Sequence, residues 1–256
     1  MIGCGIDIGS RTTKLVLYDA DKQEMITSAI TDSRLDKEES VVNLLDQALK
    51  KLNYTKKNII KVITTGYGRE LIPFADENIT EITCHARGVY HLLPKTRTVI
   101  EIGGQDSKII HLDATGRVRD FAMNDRCAAG TGRFLEAVAR LLEIEINEMG
   151  PLAMESKKPA NISSMCVVFA ESEIIGLLSR KVSRSDIITG VNKAIATRFM
   201  GLAGRNLTEP ITFTGGVALL PGMASALEEA CGKGINIAPY PQFTGALGAA
   251  ILAVEK

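Results

Sequence analysis

The sequence contains an internal duplication: Ile6-Asp7-Ile8-Gly9-Ser10-Arg11-Thr12-Thr13-Lys14-Leu15-Val16-Leu17-Tyr18-Asp19-Ala20 aligns without a gap with Ile100-Glu101-Ile102-Gly103-Gly104-Gln105-Asp106-Ser107-Lys108-Ile109-Ile110-His111-Leu112-Asp113-Ala114. An acidic residue, a glycine, a lysine and a closing Asp-Ala coincide in the two copies. Each copy has the pattern of an apolar strand, a tight turn with glycine and a second strand. The repeat predicts an α/β protein with two related lobes that face each other across a cleft.

The turns of the two copies have the composition of phosphate-binding loops. Gly9 and Gly103 let backbone amides approach an anion closely, and the first turn adds hydroxyl donors from Ser10, Thr12 and Thr13. Asp7, at the end of the first strand, is a candidate ligand for Mg²⁺, directly or through water. The alternative is a pair of ordinary β-hairpins in which the acidic residue and the lysine face solvent.

The remaining patterns alternate between strands and helices, which is typical of an α/β layer with functional loops at the strand ends. The predicted elements are a helix over Val41–Leu52, a strand over Ile59–Thr64, a helix over Asp186–Asn206, a strand over Pro210–Phe213 and a small-residue helix over Gln242–Ala250. A glycine turn, Thr214-Gly215-Gly216, follows the last strand and is predicted to open a helix in close contact with a nucleotide. We place the lobe junction near Pro94, which divides the chain into residues 1–95 and 96–256.

Composition excludes several classes of protein. The 256 residues are 45% hydrophobic and contain 30 Lys and Arg against 30 Asp and Glu, so no net charge favours nucleic acid or an anionic membrane. No apolar run reaches membrane-spanning length, and the N-terminus has no signal-peptide pattern. Five cysteines without a C-x-x-C pair are not a disulfide framework. We expect a soluble, reduced, cytoplasmic protein.

One cysteine lies at the predicted start of an amphipathic helix, in the segment Asn124-Asp125-Arg126-Cys127-Ala128-Ala129-Gly130-Thr131-Gly132-Arg133-Phe134. Unpaired backbone N–H groups and the helix dipole favour a thiolate there, which is the form that binds metals. The alternative is a small buried side chain. For Cys84 and His85 we expect packing or helix capping, because adjacent residues seldom point the same way.

Taken together, these loops resemble the nucleotide site of the actin-like ATPase superfamily, which includes sugar kinases and heat-shock chaperones. The closer resemblance is to the activators of 2-hydroxyacyl-CoA dehydratases, which are related to the ATP-binding subunits of benzoyl-CoA reductase. The motifs that carry it are Thr65-Gly66-Tyr67-Gly68-Arg69, Cys84-His85-Ala86, Gly103-Gly104-Gln105-Asp106-Ser107-Lys108, residues 124–136, and Cys166 with Phe169-Ala170-Glu171-Ser172-Glu173. They cover nearly the whole chain.

The resemblance implies a homodimer that shares one [4Fe–4S] cluster, with Cys127 and Cys166 of each subunit as ligands. It also implies an ATP or ADP site with Mg²⁺, whose contacts map to Gly9, Ser10, Arg11, Thr12, Thr13, Lys14, Gly103, Gly104, Gly215, Gly216 and Gln242. Gln105 and Asp106 are the candidates for orienting the attacking water, beside Asp7 as the third catalytic residue. Leu219 and Leu220 depart from the family, whose members often have Gln or Asn after this glycine turn.

The implied activity is ATP-driven transfer of one electron to an iron–sulfur dehydratase or reductase, with reduced ferredoxin or flavodoxin as the donor. Two alternatives stay open at this point. A small-molecule kinase of the amino-sugar type would share the fold but have no use for the two cysteines. A non-hydrolysing module that only binds partners is the other, and Leu219 and Leu220 are the residues that favour it.

Overall fold

The computed structural model describes residues 1–33, 37–163, 166–204 and 207–255. The polypeptide forms two compact units and passes between them more than once along its length. The first unit comprises residues 1–99, 110–120 and 238–256, and the second comprises residues 100–109 and 121–237.

Five strands of the first half of the chain form one mixed sheet: β1 (Ile2–Ile8), β2 (Thr12–Asp19), β3 (Glu24–Asp32), β4 (Ile59–Thr65) and β5 (Glu77–Asn78). Their order in the sheet is β3-β2-β1-β4-β5. The β1–β2 and β2–β3 pairs are antiparallel, whereas β4 is parallel to both β1 and β5. Helices α1 (Lys37–Lys51) and α2 (Glu81–Leu92) belong to the same half.

A second five-stranded sheet repeats this order. Its strands are β6 (Thr98–Ile102), β7 (Ser107–Leu112), β8 (Val118–Asn124), β9 (Ile211–Thr214) and β10 (Ile235–Ile237), arranged as β10-β9-β6-β7-β8. Each strand therefore occupies the place of its counterpart in the first sheet. The turns also match, because the Gly9 N–H donates to the Thr12 carbonyl at 3.1 Å and the Gly103 N–H to the Asp106 carbonyl at 3.0 Å. The predicted duplicated α/β fold of the actin-like ATPases is confirmed.

The other helices are α3 (Gly132–Leu141), α4 (Met149–Ala153), α5 (Val167–Ser179), α6 (Arg184–Ala203), α7 (Met223–Cys231) and α8 (Thr244–Glu255). The periodicity predicts these elements well, and the long helix differs by a few residues at its ends. It begins at Arg184, with Ser183 as the N-cap that accepts a hydrogen bond from the Asp186 N–H. The predicted end at Asn206 lies outside the described residues.

Helix α8 is packed closely against β1 and α2 in the first unit. A Cβ added to Gly5 of β1 would lie 2.0 Å from the carbonyl oxygen of Ala246, so only glycine allows this approach. The prediction of a small-residue helix packed on a sheet is confirmed. The lobe division at residues 1–95 and 96–256 stays a prediction, and it assigned α8 to the second lobe, whereas α8 packs within the first unit.

The second unit has its own core, in which apolar faces of α3, α5 and α6 meet strands β6 and β9. This core includes Phe134, Leu135, Ile174, Val191 and Phe213, all of them buried. Across the described ranges, no helix combines the length and apolar character needed to cross a membrane.

Candidate functional site

The first predicted phosphate loop joins β1 to β2 and holds an ion pair. Asp7 is only 6% exposed, and the Nζ of Lys14 donates to its Oδ2 at 3.3 Å. The two residues are cross-strand partners in the antiparallel β1–β2 pair. Ser10, Arg11 and Thr12 follow Asp7 in the loop with their side chains partly or fully exposed, while Thr13 is buried. The alternative of a hairpin with a solvent-facing acid is wrong for this copy.

Ser33, which the sequence motifs did not identify, ties this loop down. Its hydroxyl donates to the Gly9 carbonyl at 2.8 Å, and its N–H donates to the Arg11 carbonyl at 2.9 Å. A further hydrogen bond of 3.2 Å joins the Ser33 and Thr13 hydroxyls. Ser33 follows β3, which pairs with β2, so only the pairing of these strands reveals its role.

The second loop joins β6 to β7 and contains a buried charge cluster. Lys108 is 1% exposed, and its Nζ donates to Glu101 Oε2 and to Asp106 Oδ2, both at 2.8 Å. Glu101 is also buried, whereas Asp106 is partly exposed and Gln105 is exposed. Of the two residues predicted to orient water, Asp106 is therefore held by a salt bridge. Lys108 was missed as a site residue because its burial depends on packing.

The carbonyl groups of this second loop accept the first N–H groups of α3. The Gly132 N–H donates to the Gly103 carbonyl and the Arg133 N–H to the Gly104 carbonyl, each at 2.9 Å. These donors have no partner within the helix itself. The loop and the start of α3 are consequently held together through backbone atoms.

The third predicted nucleotide segment is the turn after β9. Gly215 has a φ of +91°, and an added Cβ would lie 2.3 Å from the Ile102 carbonyl oxygen, so this position requires glycine. The turn was predicted to open a helix; it opens a 3-10 turn over Gly216–Leu219, and α7 begins only at Met223. Leu219 is exposed, and Gln242 is partly buried in the turn before α8.

Cys127 is positioned by two polar side chains. The Asn124 amide donates to the Cys127 carbonyl at 2.8 Å and accepts from the Cys127 N–H at 3.2 Å. Arg198 of α6 donates from Nη2 to the sulfur at 3.1 Å. Cys127 precedes a 3-10 turn, Ala128–Gly130, so it does not directly begin α3 as the sequence predicted. A guanidinium donor provides the electropositive surroundings in which cysteines act as metal ligands.

Cys166 lies at the N-cap of α5 and is exposed. Val168 and Phe169, in the first turn of that helix, are 66% and 68% exposed. The segment that leads to Cys166 is held by Glu173, whose carboxylate accepts from the Ser163 N–H at 3.0 Å and from its hydroxyl at 3.0 Å. This cysteine is therefore presented at the surface in an apolar setting.

The other cysteines have structural surroundings. Burial raises the pKa of the Cys4 thiol to about 12, which keeps it protonated. Cys84 is fully buried among apolar residues, and the Cys231 thiol donates to backbone carbonyls at the end of α7. His85 is buried in α2 with Nδ1 2.9 Å from the Thr244 hydroxyl, so packing is confirmed; Thr80 caps that helix, and the capping alternative is wrong.

Two cysteines per chain with these surroundings fit the thiolate ligands of an iron–sulfur cluster. Both precede helical N-termini, and α3 and α5, which follow them, pack together in one core. Within the described ranges, no group of three or more His, Cys, Asp or Glu side chains is arranged to hold a metal ion.

With this geometry established, the comparison with known proteins identifies the family. Residues 4–253 match the BadF/BadG/BcrA/BcrD ATPase family. The chain belongs to this family. Among its relatives, the activator of lactoyl-CoA dehydratase of Anaerotignum propionicum is 44% identical over 256 residues, which are 100% of this chain and 98% of the relative.

Two further relatives align over almost the whole chain. A component of the benzoyl-CoA reductase of Thauera aromatica is 34% identical over 98% of this chain and 92% of the relative. The solved structure of the activator of the 2-hydroxyisocaproyl-CoA dehydratase from Clostridium difficile, with bound ADPNP, has a TM-score of 0.95 and 39% identity; the match covers 100% of this chain and 95% of that one. The predicted resemblance is confirmed, and these relatives do not favour the kinase alternative.

Proposed function

We propose that this chain is an ATP-driven electron-transfer activator. It would couple ATP hydrolysis to the transfer of one electron, from a [4Fe–4S] cluster shared across a homodimer to an iron–sulfur 2-hydroxyacyl-CoA dehydratase or a related reductase. The family membership over residues 4–253 supports the ATPase activity and the kind of partner. The two exposed or partly exposed cysteines at helical N-termini support the electron-transfer role.

The nucleotide contacts of the proposal are distributed over both units. Ser10–Lys14 and Gly9 would bind phosphate in the first unit, where Gln242 would contact the nucleotide. In the second unit, Gly103, Gly104 and the Gly215-Gly216 turn would approach the nucleotide closely. The positive φ of Gly215 and the buried Lys14–Asp7 pair support these roles.

Asp7 is the proposed ligand of Mg²⁺, and Gln105 and Asp106 are the proposed residues that orient the attacking water. Carboxylate oxygen is the ligand type that Mg²⁺ takes in phosphoryl-transfer sites. The salt bridge to Lys108 holds the Asp106 carboxylate in one orientation, which favours Asp106 over the exposed Gln105 for positioning a water molecule.

Cys127 and Cys166 of each subunit are the proposed cluster ligands. When bound, the cluster supplies the one-electron chemistry, which the side chains of this protein lack. The chain's own contribution is the setting: Arg198 next to Cys127, helical N–H groups near both sulfurs, and the apolar Val168 and Phe169 next to Cys166. Hydrogen bonds to the sulfurs and the exposure of the site both tune a reduction potential.

One observation carries the coupling of ATP to the cysteines. The backbone hydrogen bonds from Gly132 and Arg133 to Gly103 and Gly104 join the proposed phosphate loop to the start of α3, and Cys127 lies just upstream. The Thr131 hydroxyl donates to the Ala128 carbonyl at 2.7 Å and continues this connection. A nucleotide that shifts the loop would therefore move the segment that carries Cys127.

The donor and the compartment complete the proposal. Reduced ferredoxin or flavodoxin would charge the cluster, and the protein would work in the cytoplasm. The five unpaired cysteines support a reducing compartment. The exposed apolar side chains at the start of α5 support an interface there.

An iron-chelation assay on protein purified without oxygen tests this function. We expect iron to be removed at different rates with ADP and with ATP, because a nucleotide-driven change around Cys127 alters access to the cluster. The measurement is the absorbance of the iron–chelator complex over time, with nucleotide-free protein as the reference. Equal rates in all nucleotide states, together with absent ATP hydrolysis, would contradict the proposal.

The substitution Asp7→Ala tests the phosphate site. We expect ATP hydrolysis to fall at least about a hundredfold, because a metal ion supplies several kcal/mol of transition-state stabilisation. Iron content should stay unchanged, since the cysteines belong to the other unit. Asp46→Ala, which removes an exposed carboxylate from α1, is the matched control and should hydrolyse ATP normally. Near-normal turnover of Asp7→Ala would remove Asp7 from the site.

A further inference from the structure

Thr65 is a buried threonine whose hydroxyl lacks a hydrogen-bond partner. It is the last residue of β4 and is fully buried, and its Oγ1 has no partner among the residues that the structure describes. An unsatisfied buried hydroxyl is costly, and valine would fill the same volume without that cost. The position therefore has a polar atom whose partner is a group that binds there.

The hydroxyl-bearing residue lies beside Asp7. In the parallel β1–β4 pair, Thr65 is the register partner of Asp7, and paired residues of neighbouring strands point to the same face of the sheet. Ile63, two residues earlier, packs with Ala249 of α8, so Thr65 faces α8 as well. A Cβ added to Gly245 at the start of α8 would lie 3.4 Å from Asp7 Oδ2, which places the carboxylate on that face too.

The surroundings leave the carboxylate and the hydroxyl as neighbours at a strand end. Gly66, directly after Thr65, has a φ of +86°, and an added Cβ would lie 2.4 Å from Asp7 Oδ1. His85 covers the same corner, with its Nδ1 held by Thr244. All of these residues belong to the first unit. The backbone thus turns away after Thr65 without blocking the carboxylate.

We propose that Thr65 is a positioning residue of the metal site at Asp7. Its hydroxyl hydrogen-bonds to a water molecule in the hydration shell of a divalent cation held at Asp7 with a nucleotide. This inference rests on the proposed function, because it takes the cation site from there. Mg²⁺ keeps several of its waters in such sites, so a polar neighbour of its carboxylate ligand meets water more readily than the metal itself.

Metal binding and stability in four full-length proteins test the inference: wild type, Thr65→Val, Thr65→Ser and the matched control Thr27→Val. Thr27 is a buried threonine of β3, within the same sheet but away from the strand ends. The probes are Mn²⁺ with ADP, followed by the electron paramagnetic resonance signal of free Mn²⁺, and ADP alone in chelator, followed by calorimetry. Urea unfolding in chelator measures the stability of the free protein.

We expect Thr65→Val to bind Mn²⁺ with ADP about tenfold more weakly than wild type, and ADP alone within about twofold of wild type. The free Thr65→Val protein should unfold at the same urea concentration as wild type or a higher one, because the lost hydroxyl had no partner. Thr65→Ser should restore Mn²⁺ binding, and Thr27→Val should bind as wild type does.

Three results would overturn the inference. Unchanged Mn²⁺ binding in Thr65→Val would remove the hydroxyl from the site. An equal loss for ADP alone would assign the hydroxyl to the nucleotide and not to the cation. A destabilised free Thr65→Val protein with normal Mn²⁺ binding would make the role structural. A wild-type chain that binds neither ADP nor Mn²⁺ with ADP would instead overturn the proposed function and this inference together.

Discussion

Replacing either Cys127 or Cys166 by alanine is expected to remove the whole iron–sulfur cluster, not half of it. If a symmetric dimer supplies two thiolates from each chain, one substitution deletes two of four ligands at once. Wild type should contain about four irons per dimer, following this ligand count. Iron analysis and the visible absorbance of protein purified without oxygen measure the effect. The dimer should also weaken, because metal-binding free energy contributes to its assembly.

Cys231→Ala is the matched control for these variants. Its thiol is partly exposed like that of Cys127, but it only donates weak hydrogen bonds to the Glu228 and Lys233 carbonyls. This variant should keep its full iron content. Four irons per monomer, or a normal cluster in Cys166→Ala, would refute the shared-cluster arrangement. The ATPase fold would remain, but the electron-transfer role would lose its main support.

The substitution Lys108→Met is expected to cause the largest loss of stability. It would leave the buried carboxylate of Glu101 without its cation, and breaking a buried pair in this way costs about 3–5 kcal/mol. The measurement is the free energy of unfolding from urea denaturation. ATP hydrolysis should fall as well, even where the variant is still folded, because Asp106 would lose the salt bridge that orients it.

The duplication provides the control for Lys108. Lys14 is its counterpart in the first copy, but its side chain is 16% exposed and its Nζ lies 3.3 Å from Asp7. Water reaches this pair more easily, so Lys14→Met should cost less stability. In the double variant Glu101→Gln with Lys108→Met, removing the stranded charge should recover part of the loss. Equal stability of Lys14→Met and Lys108→Met would contradict the buried-charge argument.

Much of the fold could be predicted because it depends on patterns within short segments. The repeat of Ile6–Ala20 in Ile100–Ala114 predicts two copies of one arrangement, and the two sheets share the same strand order. The apolar stripe predicts α3, and small residues predict the close packing of α8. The same local chemistry identifies Asp7 and Cys127 as candidate site residues, because strand ends and helical N-termini can be recognised from the residues next to them.

The sequence by itself thus determined the duplicated ATPase fold and the type of each candidate loop, because strand alternation, helical periodicity and glycine turns act over a few residues. Only the tertiary structure decided which side chains meet across long separations. Ser33 reaches the first loop through the pairing of β2 and β3, Arg198 reaches Cys127 from another helix, and Thr65 lies beside Asp7 through the parallel β1–β4 register. Burial decides their chemistry, since the same lysine or threonine would be an ordinary solvated residue on the surface. Burial is a property of the packed chain and not of a local pattern.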